Sequence, residues 1–374
     1  MNTDKELINA LVPAGAIIVI KLGSSMLTSD DNQLDMGRLE IITRQVVELK
    51  RQNYKVVIVS SGAIACGMQR LGYTERPSSI VESSSAAAIG QALLMHNYEE
   101  IFRRDNYGTA QILLTYDGLQ DRGRYLNARN TMLHLLEKKM IIPIVNENDA
   151  VVNDEIKFGD NDKLSALVAT LIDANLLIIL SDVDGVYDAR GKVIEKISEI
   201  DASIIELAGG TSKKTTVGGM VTKIEAAKIT TNAGIPMVIA NGNVPSILRI
   251  LAGERAGTWF VPKPGKMPGK KRWIAFSGKN CGKIIVDDGA QKALREKGGS
   301  LLAIGVVGLE GKFDFGDLVV VCDRNHQEIA RGLTNYTSRE MELIKGRRTP
   351  EIEKILGYKS YDEVIHRDNM VVLQ

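Results

Sequence analysis

Short runs of β-branched and aliphatic residues alternate, over the first 250 residues, with longer stretches whose apolar positions recur every three or four residues. Ile17–Ile20 is such a run, and it predicts a buried strand. Leu39, Ile42, Val46 and Leu49 then recur at helical spacing, and Val56–Val59 predicts the second strand. A helical pattern around Ala86–Phe102 precedes a strand at Gln111–Leu114. Helices near Leu126–Leu136, Leu164–Ile172 and Ile224–Thr231 lead in turn to strands at Ile141–Val145, Leu176–Leu180 and Met237–Ala240. Strands apolar throughout, rather than alternating, are buried on both faces, and parallel strands need crossover helices. The pattern predicts an α/β fold: an open, mostly parallel sheet sandwiched by helices.

The rhythm breaks at residues 261–272, VPKPGKMPGKKR. Proline and glycine there interrupt helix and central strand, so the segment reads as a linker. Beyond it, Ile284–Val286, Leu301–Val307 and Leu318–Val321 are short strand candidates separated by glycine-rich turns. The expected organisation is a catalytic domain over 1–260, the linker over 261–272, and a small, mostly β domain over 273–374.

Charge narrows the function classes. The net charge is +1, and residues 273–374 carry 15 basic and 15 acidic side chains. Phosphate contacts dominate nucleic-acid affinity and need clustered cations, so this balance argues against RNA binding by the second domain. Three cysteines and four histidines are scattered, without C-x-x-C, which argues against a structural metal or disulfide framework. No protein metal site is expected. The N-terminus has early acidic residues and no long apolar core, and no run of 18 apolar residues occurs, so a cytoplasmic protein without a membrane segment is expected.

In an open parallel sheet, ligands gather beyond the carboxyl ends of the strands. Those ends read Lys21-Leu22-Gly23-Ser24, Ser60-Ser61-Gly62, Asn146-Glu147-Asn148-Asp149 and Ser181-Asp182. Gly218-Gly219-Met220-Val221-Thr222-Lys223 puts glycines before a helix expected to begin near Lys223. Backbone N–H groups in glycine turns hold phosphate, and an adjacent lysine neutralises a moving phosphoryl group. Each turn alone is ordinary strand-ending chemistry. Two of them at one sheet edge, with the acidic turns 146–149 and 159–163 between them, are a candidate phosphotransfer site. The dinucleotide, P-loop, serine-hydrolase and protein-kinase signatures are all absent.

The stretches VIKLGSS, VIVSSGAIACG, LNARNTM, PIVNENDAV, IKFGDNDKLSAL, LSDVDGVY and GGMVTKIEAA resemble, in order, the amino acid kinase family, in the branch that phosphorylates the γ-carboxylate of L-glutamate. The segment from KRWIAF onward is similar to the PUA domain. The resemblance implies an ATP- and Mg²⁺-dependent reaction that yields a γ-glutamyl phosphate on the way to proline. It implies catalytic roles for Lys21, Lys223 and Asp162, with Asp162 organising both lysines. Ser61, Asp149 and Asn161 would hold the L-glutamate. Lys21, Ser181, Asp182, Val217, Gly218, Gly219, Met220, Val221, Thr222 and Lys223 would contact ATP. Feedback inhibition by proline and a homo-oligomer are implied as well.

Overall fold

The computed structural model describes residues 11–29, 34–151, 161–209, 219–244, 246–254, 256–262, 269–276 and 278–373. Two compact units divide the chain: one takes in Met1–Leu119 and Gly123–Met267, the other Gln120–Arg122 and Pro268–Gln374.

The first unit is built on β1 (Ile17–Leu22), β2 (Lys55–Ser60), β3 (Gly108–Leu114), β4 (Ile141–Glu147), β5 (Leu176–Ser181), β6 (Lys196–Ile197), β7 (Met237–Asn241) and β8 (Thr258–Phe260). These form one sheet in the order β3-β4-β2-β1-β5-β7-β8-β6. All neighbours from β3 through β7 run parallel; β8 runs antiparallel to β7, and the two-residue β6 pairs parallel with β8 at that edge. Ile18, Ile20, Leu22, Val56, Ile58 and Ile178 are fully buried, as a sheet covered on both faces demands. Strands β1, β2, β4 and β5 carry polar residues at or near their carboxyl ends: Lys21, Ser60, Asn146 and Glu147, and Ser181. The ladder therefore continues while the side chains turn from core to site.

The covering helices are α1 (Met36–Arg51), α2 (Ala63–Leu71), α3 (Ile80–Arg103), α4 (Arg122–Glu137), α5 (Asn161–Leu171) and α6 (Met220–Asn232). Leu39, Ile42, Val46 and Leu49 of α1 face inward at the expected spacing. Gly62, at the N-cap of α2, has φ +100°, a conformation that L side chains rarely adopt. Helices α2 and α3 touch backbone to backbone. A Cβ on Gly67 would lie 1.8 Å from the carbonyl oxygen of Ala86, and one on Gly90 would lie 1.8 Å from that of Ala63. Only glycine permits this approach, and it fixes the position of the α3 residues just beyond Gly90.

The second unit holds β9 (Gly282–Val286), β10 (Val306–Gly311), β11 (Leu318–Cys322), β12 (Glu328–Leu333) and β13 (Met370–Val372). Their order is β10-β9-β11-β12-β13, with β9 and β11 parallel and the other pairs antiparallel. Ile284, Val286, Val319, Val321 and Ile329 form its core.

Several expectations need correction. Helix α6 begins at Met220, not near Lys223, so Lys223 sits in its first turn. Leu301–Val307 is not one strand: Leu301 makes an isolated bridge to Ile365, Ala303–Gly305 is a 3-10 turn, and β10 starts at Val306. Residues 269–272, read as linker, open a helix spanning Gly269–Phe276. Proline forbids a helix interior but not the residues before its start, so the prolines ahead of Gly269 do not bar this helix. Arg272, the last residue of the segment read as linker, is only 2% exposed. The β-branched piece 151–158, between the two acidic turns, reads in sequence as a short hairpin; past its first residue it lies outside the described residues.

Candidate active site

Lys21 projects from the end of β1 into the interior, where its side chain is 2% exposed. Helix α5 packs against β1 and against α6. Its first turn therefore places Asp162, wholly buried, between the two elements. The Asp162 Oδ1 lies 2.5 Å from Lys21 Nζ, and its Oδ2 lies 3.1 Å from Lys223 Nζ. Thr222 Oγ1 lies 2.8 Å from both Oδ2 and the Gly219 carbonyl oxygen, so its single proton is shared between these two acceptors. One carboxylate thus bridges two ammonium groups carried by a strand and a helix 202 positions apart in sequence.

Burial by itself would raise the Asp162 pKa. The charges of Lys21 and Lys223, with hydrogen bonds from Lys21 and Thr222, outweigh burial and hold this carboxyl below the usual carboxylate range. It stays ionised at neutral pH and keeps both lysines in place. Lys223, at 6% exposure, stands at a helix N-terminus, where the helix dipole disfavours a cation. The Asp162 charge offsets that, and the same N-terminus favours an anionic ligand.

The next strand ends carry a second, neutral network. Asn161 Nδ2 donates to the Ser60 carbonyl oxygen at 2.8 Å, to Ser61 Oγ at 2.9 Å and to Asn146 Oδ1 at 2.9 Å. Asn146 Oδ1 also accepts from the Glu147 backbone N–H at 2.9 Å, and Asn146 Nδ2 donates to Gln91 Oε1 at 2.8 Å. Ser60 Oγ and the buried Tyr98 hydroxyl are 2.8 Å apart, and burial pushes the Tyr98 phenol well up. A cavity of about 220 Å³ opens beside this network, with Gln91, Gln111, Glu147 and Asp149 on its polar walls and Ala87 and Ala88 among its apolar lining.

Of the residues singled out from the sequence, Lys21, Lys223 and Asp162 meet directly. Ser61 and Asn161 are bonded to each other. Asp149 lies on the cavity wall. Ser181 is buried at the end of β5 and donates to Asp182 Oδ1 at 3.1 Å, while Asp182 is exposed. Gly219, Met220, Val221 and Thr222 form the entry of α6 beside Lys223. Val217 and Gly218 lie outside the described residues. Two members of the polar network were not anticipated. Asn146 read as a turn residue, and Gln91 sits in an alanine-rich helix with no motif around it; its one sequence signal is the neighbouring Gly90.

Comparison with known proteins places this geometry in context. Residues 16–241 match the family described as "Amino acid kinase family", and residues 282–356 match the "PUA domain". Similar proteins include the glutamate 5-kinase of Caldanaerobacter subterraneus subsp. tengcongensis, 49% identical over 364 residues, covering 96% of this chain and 98% of that protein. The glutamate 5-kinase of Geobacter sulfurreducens is 50% identical over 363 residues, covering 95% and 97%. That of Moorella thermoacetica is 45% identical over 378 residues, covering 99% and 100%.

Proposed function

We infer the reaction and the residues that carry it from one premise: the chain belongs to the amino acid kinase family and stands among its glutamate 5-kinases. The reaction is ATP-dependent phosphorylation of the γ-carboxylate of L-glutamate, giving L-glutamyl 5-phosphate, the first step of proline biosynthesis.

A γ-carboxylate has a pKa of about 4.3 and is ionised at neutral pH, so it needs no general base. The difficulty is the approach of two anions. Positioning and charge stabilisation must supply the catalysis. Lys21 and Lys223 contact the triphosphate and stabilise the charge that builds as the phosphoryl group moves. Asp162 fixes both ammonium groups without taking a proton. Ser61, Asn161 and Asp149 hold the glutamate. Ser181, Asp182 and residues 217–223 lie along the nucleotide. The single observation that supports this assignment is the buried Lys21–Asp162–Lys223 bridge at the carboxyl ends of the strands.

Mg²⁺ enters as part of the nucleotide substrate. Both Asp162 oxygens face ammonium groups, and no group of three or more His, Cys, Asp or Glu able to hold a metal occurs among the described residues. Mg²⁺ bound to ATP needs no such group, because phosphate oxygens and water supply most of its ligands.

Release of ADP across an acceptor panel tests the reaction: L-glutamate, L-aspartate, N-acetyl-L-glutamate, carbamate and UMP. Turnover with L-glutamate alone is expected; turnover with UMP or aspartate and none with glutamate overturns it. The proposal extends to inhibition by proline, to a homo-oligomer and to a cytoplasmic protein whose second domain does not bind RNA. No helix among the described residues is long and apolar enough to cross a membrane. Assays with added proline, light scattering, cell fractionation and an RNA mobility shift check these four statements.

A further inference from the structure

The amide orientations on the acceptor side are fixed by backbone atoms. The Glu147 backbone N–H can only donate, so the Asn146 atom that accepts it at 2.9 Å is Oδ1. Asn146 must then turn Nδ2 toward Gln91, at 2.8 Å. Gln91 must answer with Oε1. That leaves the Gln91 NH₂ group without another partner among the described residues, on a residue 8% exposed that lines the 220 Å³ cavity. Gln91 therefore presents two N–H donors to that space.

The rest of the cavity complements this. Glu147 and Asp149 bring carboxylates, suited to an ammonium group, and Ala87 and Ala88 keep part of the wall small. Donor and acid in one small cavity match the two charged groups on the α-carbon of a free amino acid. Sheet order gives the polarity. Lys21 is on β1, whereas the cavity is lined from β3 and the end of β4, which lie on the far side of β2. An acceptor whose γ-carboxylate points to Lys21 has its α-carbon toward Gln91.

We propose that Gln91 is a specificity-determining residue whose side-chain N–H donates to the α-carboxylate of the acceptor amino acid. This rests on the reading of the chain as a glutamate kinase. The same Gln91, through Oε1, holds Asn146 and so Asn161, joining acceptor recognition to the frame that positions the nucleophile.

Gln91→Glu separates the two tasks. A carboxylate still accepts from Asn146 Nδ2 but has no donor for the α-carboxylate and repels it. Loss of a hydrogen bond to a charged group predicts a KM for L-glutamate about 10–100-fold higher, with kcat and the KM for ATP within about threefold. Gln91→Met removes the donor without adding charge, and removes the acceptor for Asn146 Nδ2 with it, so a rise in the glutamate KM of at least about fivefold is expected together with a fall in kcat. An unchanged glutamate KM in Gln91→Glu overturns the proposal. So does a rise in Gln91→Glu with none in Gln91→Met, which would reduce the effect to repulsion by the added charge. A fall in kcat with KM unchanged overturns it too, leaving Gln91 a scaffold only. Failure of the unaltered protein to release ADP with glutamate refutes the kinase reading itself, and this inference with it.

Discussion

Asp162→Asn keeps the shape of the side chain and removes one charge. In the native protein that charge lies 2.5 Å from Lys21 Nζ and 3.1 Å from Lys223 Nζ. The three residues are 0%, 2% and 6% exposed. Removing one member of a buried ion pair costs about 3–5 kcal/mol, because the survivor is left uncompensated. Here two ammonium groups survive and face each other, so the upper part of that range applies. Protein stability totals only about 5–15 kcal/mol. At about 2–4 °C per kcal/mol for a unit of this size, the melting temperature should fall by about 10–20 °C. ATP supplies the missing anion. Saturating nucleotide should therefore raise the melting temperature more in the variant than in the native protein, although kcat drops by at least about 100-fold because the lysines lose their geometry. Calorimetric melts with and without ATP, beside ADP release, measure all three quantities. An apo variant that melts within 2 °C of the native protein, with equal stabilisation of both by ATP, refutes the idea that this carboxylate's charge holds the lysines.

Lys21→Ala and Lys223→Ala should each lower kcat by about 10²–10³-fold, with KM values for ATP and glutamate changed less than tenfold, since each ammonium matters most where charge peaks; initial-rate kinetics separates the two parameters. Gly90→Ala puts a Cβ 1.8 Å from the Ala63 carbonyl oxygen, so α3 must move from α2. The expected cost is about 1–3 kcal/mol in urea unfolding, with a raised glutamate KM because Gln91 moves too. The Asp162 carboxyl is held below its ordinary value, so its stabilisation is present above the unfolded pKa of about 3.9 and is lost as pH falls through the lower folded value. The stability gap between the native protein and Asp162→Asn should accordingly be flat above about pH 5 and close only in stronger acid, as melts across a pH series would record.

The fold was legible where physics writes a long signal. Strands β1, β2, β5 and β7 are buried on both faces, and that forces unbroken apolar runs. Their polar ends were harder to see, because Ser60 and Ser181 continue the ladder while looking like loop residues. Strands β6 and β8 have two and three residues, too few for any period to show. Arg272 was hidden by its neighbours: a run of basic residues reads as solvated, yet once helix geometry applies one of the run turns inward and is buried. In the charged half of the site, a lysine at the end of an apolar strand stands out, whereas Asp162 is an ordinary acid for a helix's first turn and took its expected role from the family resemblance alone. The neutral half was not legible. A buried amide costs little when bonded, so nothing in the sequence around Gln91 marks it beyond the neighbouring Gly90. Only its hydrogen bond to Asn146 reveals the role.

The division between a charged half and a neutral half follows from the nucleophile. A carboxylate paired closely with a lysine would attack poorly, because the cation would stabilise the ground state it must leave. Amides and hydroxyls orient it at lower cost, and Asn161 and Ser61, proposed above to hold the acceptor, are of that kind. The cations belong where negative charge grows, on the phosphoryl side, which is the place proposed for Lys21 and Lys223, both held by Asp162. Neutral groups orient well only if they cannot rotate to exchange donor for acceptor. The Glu147 N–H and the Ser60 carbonyl oxygen remove that freedom, because backbone atoms in a strand ladder have fixed polarity. The sheet therefore does more than carry the site: its own hydrogen-bonding groups decide which atom of each amide is turned toward the place proposed for the acceptor.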